Sequence, residues 1–169
     1  KSKDHAEVLK KMRLAHVNHL KNIIDVGFLP EGEIHERSEG TTPYEMARSG
    51  KYPFQRIMLA ADMASGLSPW ATKPLIGYLK DKDSAIRYWG AMGLLMRGKQ
   101  GVKAGGGELE KALKDNSPYV RVVAAEALGK YGSEKQIKMA IKTLGKTADP
   151  LENGCFPSML AMNAIDHLD

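Results

Sequence analysis

The chain has 169 residues, enough for one domain with a real core. Hydrophobic content of 43% and charged content of 27% are ordinary for a globular protein, and 25 basic against 20 acidic residues leave a mild +5 charge that does not demand an anionic partner. A single cysteine, Cys155, excludes an internal disulfide, and no apolar run approaches the roughly 20 residues of a membrane span.

No signal peptide is visible, and the first residue is Lys1, so the chain is expected to be a processed or excised piece. Residues 4–24 predict one long helix. Leu9, Met12, His16, Leu20 and Ile23 fall on one stripe at helical spacing, and Lys10, Lys11 and Lys21 lie off it. Gly27 is the expected left-handed cap. The stripe needs a partner, either the rest of the chain or a neighbouring domain, so His16, Leu20 and Ile23 are candidate interface residues. Residues 28–41 combine Pro30, Gly32 and the crowded carboxylates Glu33, Glu36 and Glu39, and read as a surface linker. The expected division is therefore an adaptor helix over 1–27, a linker over 28–41 and a repeat domain over 42–169.

Thr42-Pro43-Tyr44-Glu45 is a helix start: Thr42 caps, Pro43 lacks the amide hydrogen that would go unused, and Glu45 completes a capping box. A short helix through Arg48 and a second from Phe54 to Ser65 make a first pair. Trp70 to Leu79 and Ala85 to Met96 make a second. The third pair repeats the second at a shift of 34 residues: Leu75 matches Leu109, Leu79 matches Leu113, Asp81 matches Asp115, Arg87 matches Arg121 and Leu94 matches Leu128. A fixed period in this range signals stacked helix pairs. The fourth pair starts at Ser133, and its second helix is displaced by three residues inserted between Leu151 and Cys155. Ser117 is expected to cap the third pair's second helix, and the glycines from 101 to 107 to form a mobile spot. No strand pattern appears. The expected fold is all-α: a HEAT-like α-α solenoid of about four helix pairs preceded by one long N-terminal helix.

The candidate chemistry is sparse. Asp81, Arg87, Asp115 and Arg121 share one spacing, in which Asp closes a helix and Arg opens the next; stacking would set each Arg against the Asp of an adjacent repeat, forming a structural ladder. In the fourth repeat Asp149 is in register but Cys155 stands at the Arg offset, so the ladder is expected to stop there. His16 and His19 have a spacing zinc can use, but His16 sits in the apolar stripe and reads as a packed residue. The glycine run lacks the Gly-Lys-Ser/Thr ending of a phosphate loop. Lysines dominate the C-terminal half without interleaved Arg and aromatic residues, a solvated face rather than a nucleic-acid surface. No catalytic, metal or cofactor residue can be assembled, and the chain itself is not expected to be an enzyme.

Asp115 to Arg121, with Val120 before the Arg and Ala-Ala-Glu-Ala-Leu-Gly after it, resembles HEAT repeats over about two-thirds of the chain. Asp25-Val-Gly-Phe-Leu-Pro-Glu31, Tyr44-Glu-Met-Ala-Arg48, Tyr52-Pro53, Arg87-Tyr-Trp-Gly-Ala-Met-Gly-Leu-Leu-Met96 and Asn163-Ala-Ile-Asp166 are together similar to the C-terminal extension of certain bacterial sulfatases. There a HEAT-like domain follows an alkaline-phosphatase-like catalytic domain. The resemblance implies that the first helix is the last element of the sulfatase fold. It implies a non-catalytic scaffold whose partner is its own catalytic domain, in a periplasmic or secreted sulfuric ester hydrolase. The calcium-binding carboxylates and the formylglycine motif would lie in that other domain. Cys155-Phe-Pro157 approaches the motif, but position 159 is Met where the motif wants Arg. Two other readings stay open. One is a free-standing module binding a protein or anionic polymer on its concave face. The other is an enzyme on a HEAT-like scaffold, such as the helical-repeat DNA base glycosylases.

Overall fold

The computed structural model describes residues 3–168; the outermost ends of the expected adaptor and repeat domain, residues 1–2 and 169, lie outside them. Eleven α-helices follow in order: α1 (Ala6–Ile23), α2 (Glu31–Arg37), α3 (Pro43–Arg48), α4 (Phe54–Ser65), α5 (Thr72–Tyr78), α6 (Ser84–Met96), α7 (Gly98–Ala112), α8 (Pro118–Tyr131), α9 (Glu134–Thr147), α10 (Pro150–Asn153) and α11 (Cys155–Asp166). One 3-10 turn, Pro69–Ala71, leads into α5, and no strand occurs among the described residues. The protein is all-α.

The helix starts follow local chemistry. Thr42 and Glu45 close the expected capping box, Ser133 and Gln136 make a second, and Asp83 caps α6 by accepting from the Ala85 amide. One start and one end differ from expectation. Ser117 makes no side-chain cap; its amide donates to Asp115 Oδ1 at 2.8 Å. Helix α1 ends on Ile24, which is left-handed at φ 54°, and not on Gly27, whose amide donates to Asp25 Oδ1.

Helices α4, α6, α8 and α11 pack one on the next. Against this row lie α5 on α6, α7 on α8, and α9 on both α8 and α11. Small residues permit the approach: Ala60, Ala61, Ala64, Gly90, Ala91, Ala124, Ala125, Ala161 and Ala164 are all buried. Around them Leu75, Leu94, Leu109, Val120, Leu128 and Leu144 are fully buried and form the main core. A smaller core gathers Leu29, Met46, Tyr52, Phe54, Ile57 and Ile86, and Tyr78 and Trp89 pack against both.

The glycine run is not a mobile loop. It lies wholly within α7, with Gly101, Gly105 and Gly106 buried. A Cβ at Gly105 would stand 2.7 Å from Leu94 Cδ1, and one at Gly101 would strike the Leu94 carbonyl. Glycine is there so that α7 can press on α6; tight packing outweighs the poor helix propensity of the run.

The expected linker is likewise structured. Residues 28–41 contain α2, with Leu29, Gly32, Glu33 and Ser38 buried. The Pro/Gly punctuation marks a turn on each side of a short helix, and that helix is pinned by tertiary contacts its length alone could not replace.

Candidate functional site

Three features are candidates among the described residues. The first is α2, which crosses the first turns of α6, α8 and α11. A Cβ on Gly32 would collide with Tyr119 Oη and Phe156 Cβ, so only glycine allows this crossing. His35 stacks on Phe156 with ring centroids 5.1 Å apart, and Tyr119 Oη donates to Glu36 at 2.9 Å. The Trp89 indole donates to the Phe28 carbonyl at 2.8 Å. At the centre Arg37 binds two carboxylates. Its Nε reaches Glu33 Oε1 at 2.9 Å, and Nη2 reaches Asp83 Oδ1 at 2.9 Å. Ser84 Oγ also donates to Glu33.

Glu33 is only 3% exposed, and its Oε2 is buried without a hydrogen-bond partner. The Arg37 charge is what offsets that burial. Burial pushes the Asp83 carboxyl up, but the hydrogen bonds and charge of Arg37 and the α6 amides outweigh it and hold Asp83 below the usual carboxylate range. Burial and the Glu36 carboxylate together push the Tyr119 phenol well above its ordinary value, so it stays a neutral donor. The whole arrangement is a latch. Its serine–carboxylate pair, Ser84 on Glu33, shares the carboxylate with Arg37.

The second feature is a row of arginines. Arg87 Nη1 donates to the carbonyls of Asp81 and Lys82, while Nε and Nη2 grip both oxygens of Asp115 at 2.7 Å each. The fork-to-fork geometry is the strongest form of this pair, and the hydrogen bonds of Asp115 raise the arginine further above its ordinary pKa. Arg121 is anchored in the same way on the carbonyls of Asp115 and Asn116. Asp81 is bound by Arg56. Arg56 was not among the expected ladder residues: it lies 31 residues before Arg87 and so falls out of the 34-residue register.

The third feature is α1, which buries no residue. Val8, Met12 and Leu14 are 58%, 64% and 63% exposed, and Leu9 and Ile23 are also exposed. His16 is exposed and does not pack into a core. Only the last turn is tied down: Leu20 and Ile24 pack on the smaller core, and Arg48 Nη2 donates to the Ile23 carbonyl at 3.1 Å. Beside that turn lies a hollow of about 570 Å³ lined by Lys21, Ile24, Arg48, Tyr52 and Phe54.

The structure thus brings Arg87 onto Asp115 and Arg121 onto the Asp115 backbone, and leaves His16 and most of its stripe in the open. Cys155 is exposed at the start of α11, beside Met159. Among the described residues no group of three His, Cys, Asp or Glu is placed to hold a metal ion, and no helix is long and apolar enough to cross a membrane. The latch residues Glu33, Arg37 and Asp83 went unrecognised in the sequence; the only signal was the four-residue spacing of Glu33 and Arg37 on one helical face. No protein-family model matches the chain, and no curated protein matches it either.

Proposed function

We propose that this chain is a non-catalytic, HEAT-like scaffold domain of a sulfatase-like protein, with α1 as the docking element that joins it to the catalytic domain. The observation that carries the reading is α1 itself. An 18-residue helix with an apolar stripe that its own chain leaves uncovered is marginal in water and calls for another body to cover it. The packing of α5 on α6, α7 on α8 and α9 on α11 supports a stack of helix pairs, and the Arg–Asp rungs link neighbouring pairs in it.

The free-standing alternative would use the row of second helices as its binding face. Helix α2 already lies across the first turns of that row, which disfavours the alternative. The glycosylase-like alternative needs a cleft lined by arginine, aromatic groups and a free carboxylate. The buried carboxylate of the α2 region, Glu33, is instead bound by Arg37 and Ser84.

The coding sequence preceding Lys1 is expected to specify a domain with a Cys/Ser-x-Pro-x-Arg motif; an initiator Met directly before Lys1 would contradict the reading. The purified chain is expected to release no sulfate from aryl sulfate esters, and turnover would contradict it equally.

A further inference from the structure

We propose that the end of the arginine row is a binding site for a small oxyanion, of carboxylate or phosphate type. The argument starts from a comparison of two arginines built alike. Arg87 is held by Nη1 on the carbonyls six and five residues before it, at 3.0 and 3.1 Å. Arg121 is held by Nη1 on the carbonyls at the same two offsets, at 2.9 and 3.2 Å. Both guanidinium groups are therefore oriented by their own turn before any carboxylate is considered. Arg87 then presents Nε and Nη2 to both oxygens of Asp115. Arg121 has Asn153 Oδ1 in the corresponding direction, 3.5 Å from Nη2, at the limit of a hydrogen bond.

Asp149 is the residue in register, and it accepts from the Leu151 amide at 2.9 Å as Asp115 accepts from the Ser117 amide at 2.8 Å, but the side chain that Nη2 of Arg121 meets is Asn153 and not Asp149. The row thus closes on a neutral amide. Among the described residues Arg121 has no carboxylate within salt-bridge reach.

The fork does not face bulk solvent directly. It lines a groove of about 680 Å³, within the ~300–1,000 Å³ range of small-molecule sites. Lys114, Lys142 and Lys146 line the same groove. Its one carboxylate is Asp115, whose two oxygens are already bound by Arg87. Four cations thus converge on a concave surface whose only anion is neutralised from behind. A carboxylate seated on Arg121 as Asp115 is seated on Arg87 would satisfy the fork with two charge-assisted hydrogen bonds. The lysines would add charge without fixing geometry. Phosphate offers the same pair of oxygens. The site owes nothing to α1 or to a catalytic domain, so it stands apart from the scaffold reading.

The test is titration of the full chain with citrate, with inorganic phosphate and with a short poly-glutamate peptide, at ionic strength held constant with chloride. The readouts are the Nε–H resonance of Arg121 in chains that keep it and, in every variant, the backbone amide resonances of the groove residues Lys114, Thr143 and Asn153. The expected result is a saturable shift centred on Arg121. In Lys142→Gln/Lys146→Gln, whose exposed side chains have no bearing on folding, affinity should fall about tenfold or more. In Arg121→Lys, which keeps the charge and loses the fork, saturable binding should vanish. Tighter binding of citrate or phosphate than of the peptide would identify a free metabolite-sized anion, and the reverse an acidic side chain of a protein; both support the site. Shifts that do not saturate, or that spread evenly over the surface lysines, would overturn it. So would equal binding by Arg121→Lys and the unmodified chain.

Discussion

Helix α8 buries Tyr119, Val120, Val122, Val123, Ala124, Ala125, Ala127 and Leu128, whereas the longer α1 buries nothing. The apolar stripe is plainer in α1. In α8 apolar residues run nearly all round, because α6, α7, α9 and α11 surround it. A clean amphipathic stripe does not by itself say what covers it: α9 buries Ala140 and Leu144 against α8 and α11, whereas α1 buries no residue. The blurred pattern marks the helix at the centre of the core. An apolar stripe alone did not tell the docking element from the core element; the number of neighbouring helices did.

The contrast can be broken by matched truncations. Leu128→Ala is expected to destabilise the chain by about 4 kcal/mol, since a fully buried leucine leaves a cavity among helices that cannot all collapse inward. Met12→Ala in α1 should stay within about 0.5 kcal/mol. Urea unfolding of the two variants measures both. A loss of several kcal/mol at Met12 would mean that α1 is part of the core after all.

Arg37→Ala comes next. It leaves Glu33 and Asp83 partly buried without their shared cation, and the expected loss is about 3 kcal/mol by the same unfolding measurement. The latch also carries a pH signature. The folded Asp83 carboxyl lies below its ordinary value, so its stabilisation is complete above about pH 4 and disappears as pH falls through the depressed value. Acid should therefore release α2 before the main core unfolds. The Trp89 indole N–H resonance, bonded to the Phe28 carbonyl, reports the release. In Asp83→Asn that acid step should be absent.

The arginine row carries smaller effects than the latch. Arg87→Lys keeps a charge near Asp115 but loses the two-toothed grip, and should cost about 1 kcal/mol. Arg56 is half exposed, and Arg56→Ala should cost less than about 1 kcal/mol.

The helices of the second and third pairs were legible from their period, since Leu75 and Leu109, 34 positions apart, are both fully buried, and the fourth pair begins at Ser133 as its spacing predicts. Two stretches were read wrongly for one reason. Pro30, Gly32, Gly101 and Gly105 suggest looseness by composition, but Gly32, Gly101 and Gly105 mark places where another part of the chain approaches the backbone at close range. Local propensity cannot distinguish these cases, because the neighbour that demands glycine is distant in sequence: Tyr119 for Gly32. The latch was hidden for the same reason, since Arg37 and Asp83 are 46 positions apart. The anion groove was hidden because Asp149 is in register in the sequence, and only the folded chain shows Asn153 in its place beside Arg121.

Amide hydrogen exchange on the isolated chain, at concentrations where it is monomeric, tests the central claim most directly. If α1 is a docking helix without a partner in its own chain, its amides from Leu9 to His19 should exchange about a hundredfold or more faster than those of α8 from Val123 to Leu128. Protection of α1 equal to that of α8 would contradict the account.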